Sequence, residues 1–233
     1  MDLMKSKEKM IMDTAHLPPV SKWQEADEDR IPIHIPQKRY RQIEDAVLDL
    51  YDKTDVHTIP FDVMKMASSL GIELLPYVSL PREAQQWTKR ASKDAFLLWD
   101  SNGHPSVIFY NSKMPTERLK FTLVHELAHA LLLHRQHSEL AEMEANAFAS
   151  VALCPLPLIE QFGIEDAPTL ARVFEISDEC ARHRMETYAK WKRLPMWSRN
   201  VKFGMSVRTR FHLNVPYQPE FLLFDEAPKR VCG

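Results

Sequence analysis

The stretch "FTLVHELAHALLLH", Phe121 to His134, sets three ionisable residues into a run that otherwise reads as a buried helix. His125, Glu126 and His129 sit among Leu123, Val124, Leu127, Ala128, Leu131, Leu132 and Leu133, and no Gly or Pro interrupts the run. An HExxH segment on a helix places two imidazoles one turn apart on one face, where both can reach a single zinc ion with the glutamate beside it as a base. That is the arrangement of metal-assisted amide hydrolysis. In a chain with 10 His and 18 Glu, chance supplies roughly 0.03 such motifs, so the pattern carries weight without settling the matter.

A catalytic zinc site takes three protein ligands and keeps one position open, so a neighbouring element must supply the third. In "ELAEMEANAFA" the candidates are Glu139, Glu142 and Glu144. Glu142, Ala145, Asn146 and Ala149 share a face at i, i+3, i+4 and i+7, with small residues that permit close helix approach. Glu142 as ligand leaves Asn146, one turn on, to hydrogen-bond a ligand from outside. Spacing alone leaves Glu142 against Glu144 open. His134 lies nine residues past His125, about half-way round a continuous helix, so neither it nor His137 is expected to bind the metal.

Outward from the motif, "RQIEDAVLDLYDKT" has Ile43, Val47, Leu48 and Leu50 at helical spacing, and "PFDVMKMASSLG" forms a second helix stopped at Gly71. Three short β-type runs follow, "IELLPY", "AFLLW" and "SVIFY", the last two separated by the turn-like "DSNGHP". A second helix after the motif, "SELAEMEANAFASVAL", ends at Pro155 and Pro157, and further helical segments span about 167–193. The fold class expected is α+β, a small three-stranded sheet packed on helices and followed by a helical subdomain. The boundaries expected are an arm or linker at 1–36, a core at 37–155, a helical subdomain at 156–193 and a carboxy-terminal extension at 194–233. Within that extension, "SRNVKFGMSVRTRFHLNVPYQPEFLLFDE" alternates in a strand-like way.

Composition narrows the setting. The 233 residues suffice for one main hydrophobic core, and a formal charge of -2 gives no basic footprint for nucleic acid or a membrane surface. Cys154, Cys180 and Cys232 form no C-x-x-C pair, which fits a reducing compartment rather than a disulfide framework. No signal-peptide core and no run long enough to span a bilayer is present, so a cytoplasmic protein is expected. "TLARVFEISDECARHRM" has Leu170, Ala171, Phe174, Ile176 and Ala181 in a helix-turn-helix-like pattern. Its Arg172, Arg182, His183 and Arg184 are offset by Glu175, Asp178 and Glu179, so packing rather than direct nucleic-acid binding is expected there.

"RLKFTLVHELAHALLLH" followed by "EMEANAFASVALCPLP" resembles the ImmA/IrrE family of zinc metallopeptidases. The likeness extends to "PFDVMKMASSLGIEL", "SVIFYNSKMPTERLKF" and "DAPTLARVFEISDECARHRM", roughly residues 37–193. It implies a zincin-like core with Zn2+ on His125, His129 and Glu142 and Glu126 as catalytic base. Ala128 stands where the family often has Gly, a change a helix tolerates well. The resemblance further implies a zinc-dependent endopeptidase acting in the cytoplasm on a helix-turn-helix transcriptional repressor of a phage, mobile element or stress regulon. The alternative is a non-proteolytic antirepressor or binding module in which zinc is structural. Extended substrate is expected along an exposed sheet edge, with "SVIFY" as that edge. Tyr110, His183 and Tyr188 are candidate donors to a developing oxyanion.

Overall fold

Several helices around the motif begin on side-chain caps, Asp62, Ser138, Asp166 and Ser177, that are readable in the chain. A computed structural model describes residues 34–211. Helix α1, Gln37–Thr54, buries Ile43, Val47, Leu48, Leu50 and Tyr51 on one face. Helix α2, Val63–Ser69, starts where the Asp62 carboxylate accepts from Lys65 N (3.1 Å), and the chain leaves it through Gly71 at φ 70°. That left-handed backbone suits a residue without Cβ.

Strand β1, Glu73–Pro76, pairs parallel with β3, Pro105–Tyr110, and β2, Ala95–Trp99, pairs antiparallel with the other side of β3. The order is β1-β3-β2. The expectation that "SVIFY" forms an edge is therefore wrong, because its strand is the centre of the sheet. Its four consecutive buried residues, Val107 to Tyr110, are what a strand covered on both faces shows. The open edge beside the motif helix is β2.

One sheet face, through Ile108, joins the main core, while Val107 and Phe109 on the other pack with Phe96, Leu98, Tyr77 and Leu80. That second face is covered by α3, Arg82–Ala91, through Ala84 and Trp87. The sequence reading passed over α3 because so few apolar residues mark its face.

Helix α4, Thr116–Leu131, carries the HExxH motif and packs against α5, Glu139–Leu153, whose Ala145 and Ala149 are fully buried. Helix α4 stops earlier than the apolar run implies. Leu133 takes φ 58°, left-handed backbone that costs a residue with a Cβ about 1–2 kcal/mol. Ser138 then caps α5, its hydroxyl accepting from Ala141 N at 3.1 Å.

Three further helices follow: α6 at Leu156–Gln161, α7 at Ala167–Phe174 and α8 at Asp178–Arg193. Leu170, Phe174, Ile176 and Ala181 of the helix-turn-helix-like stretch are buried in the core, and Arg184 donates to the Cys154 carbonyl at 2.7 Å.

Residues 201–211 form helix α9, Val201–Phe211, where alternation had suggested a strand. Both periods fit the apolar residues there. The subset Phe203, Val207 and Phe211 at helical spacing is buried, while Val201 and Met205, which complete the alternation, stay exposed. Packing against α1 and α6 chose the helix. One hydrophobic cluster accordingly includes residues from Ile43 to Phe211. The expected arm at 1–36 and the tail beyond 211 lie almost wholly outside the described residues. No helix among the described residues is long and apolar enough to cross a membrane.

Candidate metal centre

His125 and His129 project from one face of α4 toward α5, which returns Glu142 to meet them. Their Nε2 atoms lie 3.0 Å apart. Glu142 Oε2 is 3.2 Å from His125 Nε2, and Glu142 Oε1 is 3.4 Å from His129 Nε2. The three ligand atoms all fall within 4.8 Å of one another. A tetrahedral zinc with bonds of about 2.0–2.1 Å would separate its ligand atoms by about 3.4 Å, so the cluster has a suitable size.

The donor chemistry fits as well. His125 Nδ1 is 3.0 Å from Asn146 Oδ1, an oxygen that only accepts, so the ring proton resides on Nδ1 and Nε2 presents a lone pair to the centre. Asn146 is where the helical spacing expected it. His129 Nδ1 lies 3.1 Å from His134 Nδ1. With both outer nitrogens engaged, two imidazole lone pairs and a carboxylate converge, an arrangement that a cation satisfies.

Burial moves the neighbouring ionisations. It pushes the Glu126 carboxyl up to about 7, against the pull of His125, while the Leu97 N–H donates to that carboxylate from strand β2. Asn111 N donates to the Asp94 carbonyl (2.8 Å), and counting along an antiparallel strand from that bond turns the Leu97 N–H and C=O to the open edge. The base is thus tied to the sheet edge. Burial pushes His129 down to about 3, favouring the neutral ring. Glu142 is held well below the usual carboxylate range by His125 and then His137 beside it.

Glu144 does not join the three. It is buried and accepts from Arg39 Nε (2.7 Å) and Nη2 (2.6 Å), and its Oε2 is 2.9 Å from His134 Nε2. Glu139 begins α5 and is not part of the cluster. The reasoning that set His134 aside assumed a helix running through it, whereas the left-handed Leu133 brings its ring to 5.2 Å from that of His129. His137 is exposed, with Nδ1 3.6 Å from Glu142 Oε1. Of the candidate oxyanion donors, His183 pairs with Glu186 on the surface, Tyr188 stacks on Trp191, and Tyr110 is buried at the end of β3. Sequence reasoning missed Arg39 and Leu97, which are far from the motif in the chain and carry no motif of their own.

Residues 86–186 match the family model Peptidase_M78, the IrrE N-terminal-like domain. That match covers under half of the 233 residues. The matched residues run from within α3 into α8 and include every member of the cluster, whereas Arg39 and α9 lie outside them. The mixed architecture, mostly helical with a three-stranded sheet, is consistent with the zincin core of IrrE-like proteins. Among solved structures, a Mycobacterium tuberculosis transcriptional regulator is similar at 18% identity and a TM-score of 0.41, over 62% of this chain and 46% of that one. The match thus spans less than half of that protein's length. No curated protein matches the chain.

Proposed function

We propose that this protein is a zinc-dependent endopeptidase that cleaves a specific protein in the cytoplasm, a helix-turn-helix transcriptional repressor. The observation that carries this reading is the convergence of His125, His129 and Glu142 within 4.8 Å, with the Glu126 carboxylate on the same helix. The three converging residues would hold Zn2+. A bound zinc supplies Lewis acidity, lowering the pKa of water to about 7 and polarising a carbonyl oxygen.

Glu126 supplies the proton transfers. Its carboxylate takes a proton from water and returns it to the leaving amine as the amide bond breaks, so it must be ionised at the outset. Asn146 and His134 hold the two imidazoles in orientation. Among the described residues the outer edge of strand β2 has no paired strand, and an extended peptide can add there as a further strand beside α4. The Leu97 N–H, donating to Glu126, keeps the base next to that edge.

The repressor as substrate follows from the family resemblance, and the experiment addresses it directly. Glu126→Gln leaves the three converging side chains in place and removes the base. The reading predicts retained zinc and a loss of repressor cleavage of about 10²–10⁴-fold. Undiminished derepression in cells carrying the folded variant would instead indicate a binding module in which zinc is structural.

A further inference from the structure

We propose that Arg39, Glu144 and His134 form a positioning relay that holds His129 in one tautomer and one ring orientation, so that helix α1 helps to set the affinity of the metal centre. The consequence for affinity rests on the metal reading given above. The relay itself is built from hydrogen bonds whose directions the donor inventory fixes.

Arg39 can only donate, and two of its three bonds end on the Glu144 carboxylate, at 2.7 Å and 2.6 Å, while the third reaches Gln42 Oε1 at 3.3 Å. This fork grips both carboxylate oxygens and leaves the group one orientation. Glu144 Oε2 then accepts from His134 Nε2 at 2.9 Å, which puts the His134 ring proton on Nε2 and a lone pair on Nδ1. That lone pair faces His129 Nδ1 at 3.1 Å, so His129 must carry its proton on Nδ1. Its Nε2 is left with a lone pair directed at His125 Nε2 and Glu142. With neutral rings, reversing any link of the relay would set two donors or two acceptors against each other, while the inner Nε2 lone pairs and the Glu142 carboxylate face one another as ligands of a shared cation would.

The placement of the four residues shows that the relay is a product of the fold. Arg39 belongs to the first turn of α1, 105 residues before Glu144 and outside the IrrE N-terminal-like match. Glu144 lies two residues beyond Glu142, on the side of α5 turned away from the metal cluster and toward α1. His134 reaches both Glu144 and His129 because Leu133 adopts left-handed backbone. His134, Glu144 and Arg39 are positioning residues, since none of them is among the three converging ligands.

The test uses the full-length protein and two readouts. In metal-free wild type, 15N spectra of the histidine rings should show His129 protonated on Nδ1. A proton on Nε2 would overturn the relay without any mutation. Zinc affinity is then measured by competition with a chromophoric chelator, with thermal unfolding of the metal-free proteins as the control for folding. His134→Phe keeps a ring but no nitrogen and should weaken zinc binding about 10–100-fold. His134→Gln offers a carbonyl to His129 and an amide N–H to Glu144, and should recover most of that loss. Arg39→Ala, on a partly exposed residue of α1, should produce a smaller loss in the same direction. A folded His134→Phe or Arg39→Ala protein with wild-type zinc affinity would overturn the claim that the relay acts on the centre. Wild type that binds no zinc would overturn the metal reading and the affinity claim with it, while the ring spectra would still decide the tautomer.

Discussion

The ring of Phe211, the last described residue, stands edge-on to that of Tyr51, with centroids 5.5 Å apart and planes at 86°. Phe61 completes the group, 5.6 Å from Tyr51 and 5.8 Å from Phe211. Tyr51 in turn donates to the Ala152 carbonyl of α5 at 2.5 Å, so α9 bears on the helix that carries Glu142. Phe211→Ala removes a fully buried ring and should destabilise the protein by about 3–5 kcal/mol. Urea unfolding checks this, and an unchanged midpoint would mean that α9 is dispensable to the core.

Asn146 should matter to the metal although it is not among the three converging ligands. Removing its carboxamide in Asn146→Ala leaves His125 Nδ1 without its acceptor and the ring free to turn. Zinc affinity should fall by about tenfold or more, with the unfolding of the metal-free protein changed far less. Isothermal titration with zinc makes the comparison.

Proline substitutions can distinguish the two strands. The Leu97 N–H points away from β3, so Leu97→Pro on an edge strand is compatible with the sheet while removing the donor to Glu126 and blocking one edge position. Folded protein with near-normal zinc content and cleavage lowered at least tenfold is expected, on the scale of a mispositioned general base. Ile108→Pro, in the central strand, should instead prevent folding, because it removes a ladder residue covered on both faces. Circular dichroism and zinc content separate the two outcomes.

Burial pushes the Cys154 thiol up to about 12. At pH 8 a thiol with that value is ionised in only about one molecule in ten thousand, so native protein should leave Cys154 unmodified by iodoacetamide while denatured protein reacts. The linkage to stability follows the same sign. The unfolded chain ionises this thiol near pH 9 and the folded one does not, so its contribution is intact below pH 9 and is lost progressively as pH rises toward 12. Peptide mapping after alkylation reads the first effect, and unfolding midpoints from pH 8 to 10 read the second.

What was legible in the chain was whatever a single helix encodes. His125, His129 and Glu126 are placed by the 3.6-residue period alone, and the shared face of Glu142 and Asn146 on α5 is read the same way. Glu142 and Glu144, two residues apart, point in very different directions, and the structure gathers Glu142 with the histidines while Arg39 takes Glu144. That separation depends on α1 lying against α5, a contact between residues over a hundred positions apart. Strand order was illegible for a similar reason. The continuous burial of Val107 to Tyr110 could have indicated a central strand, but pairing partners are not written locally. The end of α4 was hidden because Leu133 adopts left-handed backbone without being glycine, and only the Ser138 cap that follows implies a turn. In α9, alternation and helical spacing coexist, and tertiary packing decided between them.

The metal content of purified wild type, measured by mass spectrometry beside His129→Ala, tests the central claim most directly. One equivalent of zinc in the wild type, lost in a folded His129→Ala protein, is the predicted result. A folded wild type that takes up no metal even when zinc is supplied would contradict it, and the cluster of His125, His129 and Glu142 would then be a packing arrangement without the chemistry proposed for it.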